Sequence, residues 1–223
     1  MPVKGTSKSE KLLPIAVLIS GAGTTLKNLI EKKKEGKLPV DFRLVISSNP
    51  QAGGLQHAAA AQIPAIVVDW NKYRDPQPFS EEIFDHCRRQ NVKLVVMGGF
   101  LKRLVIPPDF ENRVVNIHPA LIPAFCGQGF YGLRVHQAVL DYGAKITGCT
   151  VHFADNLYDH GPIILQRVVP VLDDDTPETL AARVFQEECK AYPEAITLIA
   201  EGRVQVEGRK VKILPPKDVD FEL

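Results

Sequence analysis

Apolar and polar positions alternate along this chain in a repeating order. Short apolar, β-branched runs recur at Ile15 to Ile19, Phe42 to Ser47, Ala65 to Val68 and Leu94 to Met97. Runs of this kind, bounded by turn residues, predict strands buried on both faces. Stretches with helical spacing lie between them: Leu26 to Lys34, an Ala-rich stretch opened by Gly53-Gly54 and ending near Gln62, and Glu81 to Gln90. In the last of these Ser80 is the expected cap, and Ile83, Phe84 and Cys87 form one buried stripe. Strand and helix alternating through short connections predict a parallel, doubly wound sheet.

The second half changes character. Val114-Val115 begins a strand that delivers Asn116 and His118 to one face, two residues apart, before Pro119 ends it. Val135 to Tyr142 reads as a short helix. Lys145 to Phe153 and Pro162 to Val171 read as strands joined by a turn at 156–161, hence antiparallel. Thr176-Pro177 starts a long helix with Leu180, Val184, Phe185, Cys189 and Ile196 on one stripe, which Pro193 is expected to kink or interrupt. Val204 to Val206 and Val211 to Ile213 flank Glu207-Gly208-Arg209 as a closing hairpin. The expectation is one α/β domain over residues 15–214. It has a mostly parallel central sheet, antiparallel strands in the C-terminal half, and loose tails at 1–14 and 215–223.

Composition narrows the function classes. The 223 residues are 45% hydrophobic and 24% charged with net charge +1, which argues against a general nucleic-acid or membrane-surface binder. The four cysteines form no Cys-x-x-Cys pair, and the first residues lack a signal-peptide core. A cytoplasmic protein acting on small molecules is expected, as a monomer or homodimer.

In a doubly wound sheet, ligands bind beyond the carboxyl ends of the strands. Ser20-Gly21-Ala22-Gly23-Thr24-Thr25 lies at such an end and opens a helix, which suits a phosphate. Leu26 replaces the third glycine of a dinucleotide fingerprint and no Lys follows as in a P-loop, so a mononucleotide-like or sugar phosphate is favoured over NAD or ATP. Asn116 can donate to a developing oxyanion, and His118 can move a proton near neutrality. Each also has an ordinary structural use, and their pairing on one strand face is what favours chemistry. Asp159, in the turn Tyr158-Asp159-His160-Gly161-Pro162, could orient His118 if the turn folds over the sheet edge. His152 could line the same cavity, and His136 could reach a substrate. The histidines have no metal-ligand spacing, so no metal is expected.

These stretches, taken in order, resemble a known family. They are Ile19 to Leu26, Gly99-Phe100-Leu101-Lys102-Arg103-Leu104, Asn116-Ile117-His118-Pro119-Ala120-Leu121-Ile122-Pro123, Gly148 to Phe153 and Asp159 to Gln166. The chain resembles the folate-dependent phosphoribosylglycinamide formyltransferases of purine synthesis from about Ile15 to Ile199. The resemblance implies formyl transfer from 10-formyltetrahydrofolate, as co-substrate, to the amine of 5′-phosphoribosylglycinamide. It implies that Gly23, Thr24 and Thr25 hold the substrate phosphate and that Leu101, Lys102, Arg103 and Leu104 bind the pterin, with Asn116 also at the folate. It implies that Asn116 is the catalytic amide, His118 the general acid, Asp159 its assisting carboxylate, and Glu188 an acidic group near the substrate amine. Thr25 stands where the family commonly has Asn, Lys102-Arg103 is more basic than usual, and the loop 125–132 is longer than the commonest form.

Two alternatives stay open from the residues alone. One is another formylfolate enzyme, a hydrolase or one with a different acceptor. A regulatory domain before Ile15 or a tRNA-holding domain after Leu214 would be expected of those. The other is a non-catalytic sugar-phosphate-binding domain, which would explain the Gly loop and leave Asn116, His118 and Asp159 without a purpose.

Overall fold

Residues Ile15 to Ile19 are wholly inaccessible to solvent and form the middle of the sheet. A computed structural model describes residues 12–216; of the expected tails at 1–14 and 215–223, residues 1–11 and 217–223 lie outside the described residues. The strands are β1 (Leu13–Ile19), β2 (Val40–Ser47), β3 (Ala65–Val67), β4 (Leu94–Met97), β5 (Val114–His118), β6 (Ile146–Phe153) and β7 (Ile163–Pro170). They pair in the order β3-β2-β1-β4-β5-β6-β7. The first five are mutually parallel, and β6 and β7 join antiparallel. β1 begins two residues before the expected start because Leu13 and Pro14 pair with Val40 and Asp41. A separate hairpin, β8 (Val204–Glu207) and β9 (Lys210–Ile213), follows the last helix.

Five helices cover the sheet: α1 (Thr24–Lys34), α2 (Gly54–Ala60), α3 (Pro76–Arg89), α4 (Leu133–Tyr142) and α5 (Pro177–Ala200). One core joins α1, α4 and α5 to the sheet through residues such as Leu26, Leu29, Val139, Val184 and Ile196. The other packs α3 on the opposite face through Phe79, Ile83, Phe84 and Cys87. Apolar area removed from water on both faces is the main stabilising term, and it explains why the parallel strands read as unbroken apolar runs.

Three local features depart from the sequence reading. Ser80 does not cap α3. Asp75 does, by accepting from the Gln77 N–H, and Pro76 fills the first helical position. Ser80 instead lies inside the helix, donates to the Pro76 carbonyl, and accepts the Val105 N–H at 2.8 Å. Pro193 does not interrupt α5, which runs on to Ala200. Proline deprives the carbonyl four residues back of its usual donor; here the Asn28 side-chain amide donates to that carbonyl, of Cys189, at 3.1 Å. Finally, α1 starts at Thr24, so Thr24 and Thr25 sit in its first turn.

Candidate active site

The strand order reverses between β1 and β4, and a cleft opens at the carboxyl ends there. The cleft measures about 380 Å³, with Thr24, Thr25, Leu101, Lys102, Asn116, His118, Asp159 and Glu188 among its walls. A narrower recess adjoins it, lined by Lys102, Arg103, Leu104 and the loop residues 154–159. Met97, Lys102, Asn116, Tyr158 and Asp159 line both spaces, so Asn116 and Asp159 stand at their common boundary.

The side of the cleft at the start of α1 is built by a close backbone crossing. Gly23 is buried, with φ of 75°, and a Cβ placed on it would fall 2.4 Å from the Gly54 Cα. Only glycine satisfies both demands. Gly23 thus lies beneath the cleft, while Thr24 and Thr25 line it at the helix N-terminus, where free N–H groups and the helix dipole favour an anion.

Asn116 and His118 arrive on β5 with the antiparallel partner β6 beside them, where Asn116 pairs with His152 and His118 with Thr150. The His152 Nδ1 is 2.8 Å from the Phe153 carbonyl, which can only accept, so that nitrogen carries the proton. The His152 Nε2 lies between the Asn116 amide nitrogen, at 3.3 Å, and Asp159 Oδ1, at 3.7 Å. These contacts fix the position of the Asn116 amide at the cleft.

His118 faces acceptors at both ring nitrogens. Nε2 is 2.8 Å from the Phe125 carbonyl. Nδ1 is 3.5 Å from Asp159 Oδ2. Two acceptors match the doubly protonated imidazolium. Burial nonetheless pushes the His118 pKa below its ordinary value, with Asp159 and the Phe125 carbonyl pulling it back up. Burial works to raise the Asp159 carboxyl, but the adjacent histidines and the Gly127 N–H hold it below the usual range. Asp159 itself sits at φ of 51°, outside the conformations most L-residues adopt.

Glu188 enters from α5, and burial raises its carboxyl pKa to about 7. One turn along, the Tyr192 hydroxyl lies 3.0 Å from the Met97 carbonyl and 2.9 Å from that of Val115, binding the ends of β4 and β5 together behind Asn116.

The structure thus gathers Thr24, Thr25, Leu101, Lys102, Asn116, His118, Asp159 and Glu188 on one cleft, with Arg103 and Leu104 in the adjoining recess. The Gly-rich loop contributes backbone groups as well as cleft wall: the Gly127 N–H donates to Asp159 at 2.9 Å. His136 turns away. It is buried on α4, its Nδ1 has no partner, and burial lowers its pKa to about 4. His152 is the functional neighbour that pattern reading underrated; its place opposite Asn116 depends on strand pairing, which one sequence does not display. Among the described residues no group of three or more His, Cys, Asp or Glu is placed to hold a metal ion.

A fold-wide match accompanies this geometry. The family model described as formyl transferase covers residues 13–196, and the chain belongs to that family. Two of its relatives are named phosphoribosylglycinamide formyltransferase. The chloroplastic enzyme of Arabidopsis thaliana is 38% identical over 208 residues, 91% of this chain and 70% of its own length. That of Vigna unguiculata is 40% identical, and the chain spans 62% of its length and aligns over 85% of its own. A solved structure, glycinamide ribonucleotide transformylase 1 from Symbiobacterium toebii, aligns with a TM-score of 0.85 at 40% identity, covering 92% of this chain and 95% of that one.

Proposed function

We propose that this protein transfers the formyl group of 10-formyltetrahydrofolate to the amine of 5′-phosphoribosylglycinamide in de novo purine synthesis. The observation that carries the proposal is the Asp159 carboxylate 3.5 Å from His118, with Asn116 and Asp159 both at the boundary between two recesses. The names of the relatives point to the same acceptor.

In this reading the larger cleft takes the phosphoribosyl acceptor, with its phosphate on the N-terminus of α1 at Thr24 and Thr25. The Gly23 backbone shapes that turn. The narrower recess takes the pterin, between the backbone of Leu101 to Leu104 and the loop 154–159. The formyl carbon then lies beside Asn116. The substrate amine attacks it, a C–N bond forms, and charge develops on the formyl oxygen. The Asn116 amide N–H and the His118 imidazolium donate to that oxygen. His118 exchanges its bond to the Phe125 carbonyl for this one. Glu188, with a carboxyl near neutrality, holds the amine and takes up the proton it loses. His118 gives its proton to the folate nitrogen as that nitrogen's bond to the formyl carbon breaks, releasing tetrahydrofolate and the formylated acceptor, and the proton taken up by Glu188 balances the one His118 loses.

All these residues belong to one chain, so a monomer or a homodimer serves equally. The four cysteines are free, in keeping with the reducing cytoplasm proposed for it. The test is folate-product formation with phosphoribosylglycinamide present or omitted. Turnover that needs the acceptor is expected. Equal turnover without it would make the protein a formylfolate hydrolase.

A further inference from the structure

The hairpin β8–β9 lies beyond residue 196, where the match to the family model ends. Its tip nevertheless reaches the loop that carries Asp159. Arg209 Nη2 donates to the His160 carbonyl at 2.8 Å, and Nη1 approaches His160 Nε2 at the same distance of 2.8 Å. The same Nη1 is 3.3 Å from His160 Nδ1, so the guanidinium packs against the ring. His160 Nδ1 is in turn 2.7 Å from Asp155 Oδ2. The other oxygen of Asp155 caps the Leu157 N–H at 2.8 Å. Hairpin tip, ring and loop start are therefore joined in one run of hydrogen bonds.

The loop is also held on two other sides. The Asn156 side chain accepts the Ile106 N–H at 2.7 Å and donates to the Ile106 carbonyl at 3.2 Å, fastening the loop to the segment after Leu104. At its far end a Cβ on Gly161 would meet the Phe153 carbonyl oxygen at 1.9 Å, so the chain closes tightly on β6 there. Between these anchors Asp159 keeps a φ of 51°. A strained residue persists only where its surroundings over-determine it. Arg209 grips the residue immediately after it.

We propose that Arg209 is a positioning residue: through His160 it holds the Asp159 carboxylate between His118 and His152. The inference rests on the formyl-transfer reading for its kinetic part only. Arg209 is exposed, and exposed polar contacts contribute little to global stability. Its loss should therefore loosen this loop without unfolding the protein.

The test uses the full chain with Arg209→Ala and Arg209→Lys. Amide hydrogen exchange of peptides spanning 154–161 should speed up in Arg209→Ala while the melting temperature stays put. In the acceptor-dependent assay kcat should fall about tenfold, with KM for both substrates within about twofold, as for misplacement of a catalytic group. Lys cannot grip a carbonyl and a ring nitrogen together, so Arg209→Lys should resemble Arg209→Ala. Added ethylguanidinium should restore part of the rate to Arg209→Ala. Wild-type exchange or wild-type kcat in Arg209→Ala would overturn the proposal, as would a loss confined to KM. If the wild-type protein itself fails to transfer formyl groups, the functional reading fails, and the exchange measurement still decides whether Arg209 holds the loop.

Discussion

Asp159 Oδ2 lies 3.5 Å from His118 Nδ1, and the same carboxylate oxygen accepts the Gly127 N–H at 2.9 Å. The carboxylate thus links the strand that delivers His118 to the Gly-rich loop beside the cleft. It also opposes the effect of burial on the imidazole.

Asp159→Asn removes that opposition. With burial left uncompensated, the His118 pKa falls further. The imidazolium then persists only to lower pH, so the basic limb of the kcat profile shifts to lower pH. Turnover at neutrality should drop by about 10²-fold or more, the usual contribution of a positioned proton donor. A pH–rate profile alongside circular dichroism checks this; an unmoved limb would contradict the role of Asp159.

Glu188 should make the protein less stable as pH rises. Its carboxyl pKa, raised from 4.5 to about 7 by burial, means the folded state holds the proton more tightly than the unfolded chain. Stability on this account is fully present below pH 4.5, declines between there and about 7, and is lost above. The decline is on the order of 2–3 kcal/mol. Glu188→Gln should therefore melt higher than the wild type at pH 8 and the same at pH 4.5. Denaturant unfolding at the two pH values measures it.

Tyr192→Phe keeps the buried ring and removes the only side-chain donor the structure gives to the Met97 and Val115 carbonyls. Both carbonyls belong to the paired strands β4 and β5, so the loss is that of a net hydrogen bond, about 0.5–1.5 kcal/mol. Thermal unfolding should fall by several degrees, about 2–4 °C for each kcal/mol in a chain of this size. An unchanged melting temperature would show that this hydroxyl contributes nothing.

Gly23→Ala should be severe, since the added Cβ would sit 2.4 Å from the Gly54 Cα in a left-handed conformation. A loss of about 1–3 kcal/mol from strain alone is expected, with overpacking added. Expression yield and melting temperature report it, and a variant as stable as the wild type would contradict this packing.

Much of this architecture was legible in the sequence because parallel strands buried on both faces must be apolar throughout. Val17, Val45 and Val96 announce themselves in this way. Asn116 and His118 stood out because a period of two fixes their shared face. Glu188 and the pterin segment came from family resemblance, and Asp159 was a candidate only on condition that its turn fold over the sheet edge, since a carboxylate in a turn or helix carries no local signal of chemistry. The remainder depends on contacts across long stretches of chain. His152 acquires its role only when β6 pairs with β5. Ser80 looked like a cap because its partner, the Val105 N–H, belongs to a distant segment. Pro193 looked disruptive because Asn28, which donates to the carbonyl it orphans, lies on another helix. The Phe125 carbonyl and the Gly127 N–H are backbone groups, placed by positive φ angles that residue identity does not specify at Phe125.

The most direct test of the central claim is formyl transfer by His118→Ala beside the wild-type protein, with acceptor binding measured by calorimetry on both. A general acid contributes about 10²–10⁴-fold, so turnover should fall by that factor while phosphoribosylglycinamide still binds at Thr24 and Thr25. Wild-type turnover in His118→Ala would contradict the account.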